Sequence, residues 1–437
     1  MATLTFPLSR IEGHARVEIE IQNGKVISTR FKATEMRGFD IFVKGVPAEQ
    51  MPVIVPRICG VCSTAHHVTA VKTLEDAYGV TPPPLASKIR SLLLLGQLLQ
   101  NQATSLFIFT MPDRLNADSI FEMDAGDVDK ARRFQMAQQA LKVRELGTDL
   151  ITLAGGQFIH PVQAVVGGVN AGISAERAEE MLKRLELALP MACDLFDAYW
   201  ELTIRMKDRV GSWGDDQPAY YITSTGKVKP DFNSHEIRVM NPAGECCEIF
   251  SPHSFRDVLE FQESEYSYAG KTSYKGGVIR ANSLARSNLT AHMGTKVANG
   301  YLRRLRIEFG TPAHPIMLFD LGRGIELVYA IERAAEILRQ PLDKEDTKVS
   351  FTPRDGDGYG LVEAPRGPLI HHYVIEKGKI ANAEFIIPTV HNMLAVERAL
   401  KVAAERYISG ELVNMELERA VGRVVRAFDP CIACATH

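Results

Sequence analysis

Two cysteine pairs of one form stand at opposite ends of a 437-residue chain, and they restrict its fold more than any other feature. The first lies in Arg57-Ile58-Cys59-Gly60-Val61-Cys62-Ser63-Thr64-Ala65-His66, the second in Asp429-Pro430-Cys431-Ile432-Ala433-Cys434-Ala435-Thr436-His437. A Cys-x-x-Cys lets two sulfurs reach one metal from a single tight turn, and Gly60 supports that turn in the first pair. Four thiolates can converge only if the fold carries the tail back beside the early loop. Chain ends usually fray, so scarce thiols and a histidine there point to a tail folded inward.

The rest of the chain reads as the scaffold for that closure. Val17, Ile19 and Ile21 alternate with Glu18, Glu20 and Gln22, and Asn23-Gly24 leads on to Val26 and Ile27. This predicts a hairpin over residues 15–34, preceded by the charged loop from Ser9 to His14. Pro82-Pro83-Pro84 is a stop. Helices are predicted over 86–109, 127–153 and 174–205, the last kinked at Pro190, and together they suggest a bundle. From 211 to 288, Gly, Pro and Tyr with short alternating runs at 220–222, 237–239 and 248–250 predict a β-rich insertion. Helices return at 290–308 and 324–339, strands at 374–375 and 385–387, and a helix at 392–407. Ser409-Gly410 breaks it, and a last helix at 416–428 delivers the tail. The expected class is mainly α with β patches: a long helical bundle core, an N-terminal β hairpin and a small β-rich insertion. The expected segments are 1–56, a β region with the charged loop; 57–210, the first Cys pair and bundle; 211–288, the insertion; and 289–437, a helical and β part with the closing Cys pair.

Composition excludes several partners. A formal charge of -3 gives no basis for binding nucleic acid or an anionic membrane. No uninterrupted apolar run approaches the ~20 residues of a transmembrane helix, and Met1 to Phe6 lack the pattern of a secretory signal. Seven cysteines, an odd number, suit reduced thiols and a cytoplasmic setting.

On cysteine spacing alone, two such pairs suggest a structural four-thiolate zinc site. Two features count against it. Zinc ribbons are local, whereas these pairs are remote, and each pair has polar companions: Arg57 and His66 with one, Asp429 and His437 with the other. Proton carriers beside thiolates suit a reactive metal, and soft thiolates with open positions suit nickel or iron. Taken singly, Glu12 reads equally as a surface carboxylate, Arg366 as a structural ion pair and His66 as a core histidine. Cys193 reads as a core residue, and Cys246-Cys247 suggest no function.

The motifs in order settle on one family. They are Arg10-Ile11-Glu12-Gly13-His14, Arg37-Gly38-Phe39-Asp40, the first Cys pair with Arg57 and His66, and Gly155-Gly156 with Ile159-His160-Pro161. Glu363-Ala364-Pro365-Arg366-Gly367, Ile387-Pro388-Thr389 and the closing Asp429-to-His437 stretch follow. Over nearly its whole length the chain resembles the large, catalytic subunit of nickel–iron hydrogenases, closest to short soluble cytoplasmic members. The resemblance implies that Cys59 and Cys431 are terminal nickel ligands, and that Cys62 and Cys434 bridge nickel to an iron bearing carbon monoxide and cyanide. It implies that Cys431 accepts a proton from dihydrogen and Glu12 hands it outward, and that Arg366 sits above the open metal position next to Pro365. Thr389 would bond a cyanide, His66 a bridging sulfur, and Asp429 would hold Arg366. Magnesium would take Asp40, the Phe385 carbonyl and His437. Two departures stand out: Asp40 replaces a usual Glu, and Asn101 replaces an Asp that often pairs with Arg366.

The implied activity is reversible heterolytic cleavage of dihydrogen, with electrons passed to an iron–sulfur small subunit. Further flavin or iron–sulfur electron-transfer subunits are compatible with it. A carboxy-terminal extension cut just after His437 is also implied. Two rival readings are a dihydrogen sensor with the same site and the related quinone-site subunit of respiratory complex I, which lacks the thiolates.

Overall fold

The computed structural model describes residues 2–121, 128–210, 217–409 and 412–436. Alternation near the N-terminus produces three strands, one more than the predicted hairpin: β1 (Ala2–Pro7), β2 (Ala15–Gln22) and β3 (Lys25–Ala33), all antiparallel. Val17, Ile19 and Phe31 are wholly buried on its inner face. Asn23 and Gly24 make the turn at positive φ.

A short helix α1 (Phe39–Phe42) precedes the first cysteine loop, and α2 (Ser63–Tyr78) starts directly from Cys62. Then come α3 (Pro84–Ala103), α4 (Val128–Gly155) and α5 (Ala175–Arg205). Pro84 opens α3, where its missing N–H costs nothing. The helix predicted to end at 109 leaves α-helical geometry after Ala103, passes through a π-helical stretch (Thr104–Thr110) and ends at Leu115. The 84–115 span is in fact long and apolar enough to cross a bilayer, yet 83% of its most apolar window is buried inside the protein. It is a core helix. Ser174 caps α5 by accepting the Arg177 N–H, and α5 runs on through Pro190.

The insertion is a six-stranded sheet. Its strands are β4 (Tyr220–Thr223), β5 (Ile237–Met240), β6 (Cys246–Phe250), β7 (Glu260–Gln262), β8 (Lys271–Tyr274) and β9 (Gly277–Arg280), in the order β6-β5-β4-β9-β8-β7. The β4–β9 pairing is parallel and the others antiparallel. Residues 211–216 of the predicted insertion lie outside the described residues.

The helix predicted at 290–308 starts six residues later as α7 (Lys296–Phe309), and an unpredicted helix α6 (Ser283–Leu289) closes the predicted insertion, parted from α7 by a loop in which Gly294 has φ +78°. The central helix α8 (Phe319–Leu338) is buried along most of its length. The sequence showed two strands next, and the structure has three: β10 (Gly356–Ala364), β11 (Gly367–Glu376) and β12 (Lys379–Ile386), in antiparallel order. Helix α9 (Pro388–Tyr407) starts four residues before its predicted onset, with Pro388 in its first turn. Helix α10 (Leu417–Phe428) and the short α11 (Ile432–Ala435) close the chain. One hydrophobic core joins the N-terminal sheet to α2–α5 and α8–α10. A second lies under the insertion and is shared with Leu361, Ile370 and Ile386.

Candidate functional site

The four paired cysteines meet. Cys59 follows a tight 3₁₀ turn, Cys62 opens α2 and Cys431 opens α11. Cys59 Sγ lies 3.4 Å and Cys62 Sγ 3.6 Å from Cys431 Sγ, which is 2.8 Å from Cys434 Sγ. All four sulfurs are buried and lie within 4.8 Å of one another. Two metal–sulfur bonds of about 2.3 Å reach at most about 4.6 Å, so the cluster is the size one metal, or two sharing bridges, would draw together. An all-thiolate donor set fits a soft metal. Hydrogen bonding from Cys431 holds the Cys59 and Cys62 thiols below their ordinary value, and Arg366 adds to the effect at Cys62. Burial pushes the Cys431 and Cys434 thiols well up. A metal held by all four would take each as a thiolate, so its binding would release protons.

The charged N-terminal loop is the clamp on the tail. Glu12 and Cys431 form a parallel backbone bridge, and the Ile432 N–H donates to the Glu12 carbonyl at 3.1 Å. Glu12 Oε2 accepts from the Cys431 thiol and the Ala433 N–H, both at 3.0 Å. Burial and the nearby Cys59 charge push the Glu12 carboxyl up, partly offset by those two hydrogen bonds. Contact this close requires Gly13: its φ is +79°, and a Cβ there would stand 2.8 Å from Ile432 Cβ. Asp113 ties both sides together, accepting from Arg10 at 2.7 Å and from two nitrogens of Arg426 at 2.6 and 2.8 Å. Arg10 also donates to the Phe109 carbonyl, in the π-helical stretch, and Arg426 to the Ser9 carbonyl.

Arg366 reaches the cluster at another sulfur, Cys62. Ala364 pairs with Gly367, so Pro365 and Arg366 are the two tip residues of the β10–β11 hairpin. The buried guanidinium donates to the Asp429 carbonyl at 2.5 Å, to Asp429 Oδ1 at 3.1 Å and to Cys62 Sγ at 3.4 Å. Burial alone would lower its pKa, but Asp429 and the thiolates outweigh that and hold it firmly charged. Asn101 Nδ2 donates to Asp429 Oδ2 at 3.3 Å, so the residue standing in place of an acid steadies the acid that Arg366 uses. Thr389 Oγ1 accepts the Cys431 N–H at 3.0 Å. His66, Pro365, Arg366, Thr389 and three of the cysteines line a small space of about 10 Å³, the room of a single water. His66 Nδ1 faces His371 Nε2 at 3.0 Å.

The residues expected to hold magnesium are drawn together in part. Asp40 Oδ1 is buried without a hydrogen-bond partner, which is unusual for a carboxylate and suits a ligand of a hard cation. Helix α1, which carries Asp40, packs on β12, which carries Phe385. The Arg37 N–H donates to the Thr436 carbonyl at 2.7 Å, bringing the end of the described tail to the same place. His437 lies outside the described residues.

Comparison with known proteins decides the family. The profile described as "Nickel-dependent hydrogenase" matches residues 37–138 and 213–437, and one described as "HoxL-like" matches 6–36. The chain belongs to the nickel-dependent hydrogenase family. This hydrogenase chain is 33% identical to one of the subunits of the F420-non-reducing hydrogenase vhu of Methanococcus voltae, over 91% of this chain and 97% of that one. It is 29% identical to the beta chain of the NAD-reducing hydrogenase HoxS of Cupriavidus necator, over 99% and 93%. A crystal structure of NAD+-reducing [NiFe]-hydrogenase in the H2-reduced state superposes with a TM-score of 0.92 at 29% identity, each chain covered in full. The hydrogenase chain is therefore the catalytic part of an oxidoreductase acting on dihydrogen.

Some of the groups that build the hydrogenase site carry no sequence signal. Asp113 and Arg426 are 313 residues apart. Arg286 and Glu326, which join Glu363 of the Arg366 motif and set a guanidinium against the Pro365 carbonyl, come from two separate helices with no common spacing. His371 and Tyr373 lie just past the Arg366 motif, where a His two positions before a Tyr on a buried strand was the available signal.

Proposed function

We propose that this chain cleaves dihydrogen heterolytically and reversibly at a nickel–iron pair and passes the electrons to an iron–sulfur small subunit. The observation that carries this reading is the meeting of four buried thiols from both chain ends, with a half-buried carboxyl against Cys431 and a buried guanidinium against Cys62. When bound, such a pair would be held by Cys59, Cys62, Cys431 and Cys434 and would supply an electrophile for dihydrogen and a sink for its electrons.

The chain's own residues supply the proton chemistry. A terminal thiolate keeps more basicity than a bridging one, so Cys431 is the sulfur that takes the proton. Glu12 Oε2, 3.0 Å away, is placed to receive it and pass it outward. Its carboxyl is raised toward the working pH by burial, as a carrier that must both gain and lose a proton requires. Arg366, fixed by Asp429 and through it by Asn101, holds a positive charge over the cavity, where charge separates as dihydrogen splits. Pro365 adds no N–H of its own to the hairpin tip. Thr389 and His66 line the same cavity, and offer donors for cyanide and for a bridging sulfur. Asp40, the Phe385 carbonyl and His437 would hold magnesium, with Asp40 reaching it directly or through water.

Relatives named as subunits support a partner chain for the electrons, and a large obligate interface is expected with it. None of the seven cysteines is in a disulfide, which suits a reducing compartment such as the cytoplasm. Elemental analysis of the purified complex, with an infrared spectrum for carbon monoxide and cyanide, tests the metal assignment. Nickel and iron with both ligands are expected, and zinc alone would overturn it. Rapid dye reduction under dihydrogen separates turnover from sensing.

A further inference from the structure

Strand β11 places His371 and Tyr373 in line with His66 of α2. His371 and Tyr373 are wholly buried, and His66 nearly so. Tyr373 Oη lies 2.8 Å from His371 Nδ1, and His371 Nε2 lies 3.0 Å from His66 Nδ1. His66 then lines the cavity of Cys62, Cys431, Cys434 and Arg366. The chemistry derived above uses neither His371 nor Tyr373. We propose that Tyr373 is a positioning residue that acts through His371 to fix the tautomer of His66, so that His66 offers an Nε2–H donor to the thiolates.

The direction of the chain follows from its far end. Burial holds the Tyr373 phenol well above its ordinary value, so the hydroxyl keeps its proton. Among the described residues that proton has one acceptor, His371 Nδ1. A buried hydroxyl left without an acceptor is destabilising, so the O–H donates to Nδ1. Nδ1 of His371 therefore carries a lone pair, and the ring proton sits on Nε2. That Nε2–H points at His66 Nδ1, which must accept it, and the proton of His66 is left on Nε2. The opposite polarity would strand the tyrosine proton and put a bare imidazole nitrogen beside sulfur. Partners that orient a histidine next to a metal site work in this way. The effect on turnover rests on the nickel–iron reading, but the tautomer assignment does not.

The test is histidine-selective 15N spectroscopy of the purified complex, reading which ring nitrogen carries a proton, with the His66 signal assigned by its loss in His66→Gln. In the natural protein His66 is expected to show a protonated Nε2 and a bare Nδ1. Tyr373→Phe should mix the two tautomers and lower dye reduction about tenfold, the low end for an outer partner of a metal site, with nickel and iron content unchanged. His371→Gln should keep the natural tautomer and most of the rate, because an amide can accept from Tyr373 and donate to His66. His371→Leu should behave as Tyr373→Phe does. An unchanged His66 tautomer in Tyr373→Phe would overturn the proposal, as would His371→Gln behaving like His371→Leu. A complex that holds zinc alone, yet shows His66 protonated on Nε2, would sink the nickel–iron reading and support the tautomer assignment.

Discussion

Replacing Asp113 with alanine should loosen the catalytic site from a position that touches no cysteine. The carboxylate takes two hydrogen bonds from Arg426 and one from Arg10, and so joins the N-terminal loop to the helix that carries the tail. The Arg426 and Asp113 side chains are only 7% and 10% exposed. Breaking that bidentate pair should cost about 3 kcal/mol, the low end for a buried pair because some solvent reaches it. Arg10, 21% exposed, adds about 0.5–1 kcal/mol, as surface pairs do. The total is roughly 3–4 kcal/mol. At about 2 °C per kcal/mol for a large domain, the unfolding midpoint should fall by roughly 6–8 °C. The scan rate must be held fixed, since a large complex is apt to unfold irreversibly. Activity should fall further than stability implies. Glu12 and Cys431 are held at 3.0 Å by this clamp, and a displacement of about 1 Å can cost about a hundredfold. Asp113→Asn, which can still accept one guanidinium N–H, should lie between the two. Differential scanning and deuterium–proton exchange on the same preparations read both effects. An unchanged midpoint with natural exchange in Asp113→Ala would refute the clamp.

Three further outcomes are expected. Glu12→Gln can still accept the Ala433 N–H but cannot relay a proton, so metals should stay bound while dye reduction and solvent exchange both fall by about 10²–10⁴-fold; unchanged exchange would reassign the proton exit. Arg366→Lys keeps the charge but loses the fork that serves Asp429 and Cys62 at once, and turnover should drop by about 10²-fold; near-natural turnover would reduce Arg366 to a structural charge. Asp40→Ala should lower thermal stability more than activity and abolish magnesium binding; an active natural protein that contains no magnesium would show that the site does not exist.

The chemistry of the site was legible because its parts are short and local. Each cysteine pair sits within one turn, and Pro365-Arg366 form the tip of one hairpin. Strand β10 was missed for a physical reason. Gly358 and Gly360 occupy its helix-facing side, where a Cβ would come within 2.1 Å of the Thr73 carbonyl and 2.4 Å of the Thr69 carbonyl. Close packing against α2 thus erased the apolar alternation by which a strand is read. Helix α6 was hidden in another way. Ser283 and Arg286 face buried partners, the Phe319 carbonyl and the Glu326 and Glu363 carboxylates, so a buried face reads as polar. The Asp113 clamp depends on contacts across most of the chain, which no local spacing records. The early start of α9 was masked because Pro388, which opens the helix, follows directly on a strand-like apolar run.

The bridge between the Glu12 loop and the Cys431 turn also sets a timetable for biosynthesis. Cys59 and Cys431 are 372 residues apart, and at about 5–20 residues per second the second cysteine pair leaves the ribosome roughly 20–75 s after the first. Through that interval Cys59 and Cys62 form half a chelate, open to whatever thiophilic ion arrives. Intrinsic affinity favours copper and zinc over iron at such a ligand set. The bridge cannot reject the wrong ion, because its closing strand has not yet been made. Correct metallation of this chain is therefore decided by delivery and order of arrival, before the finished fold can exercise any selectivity of its own.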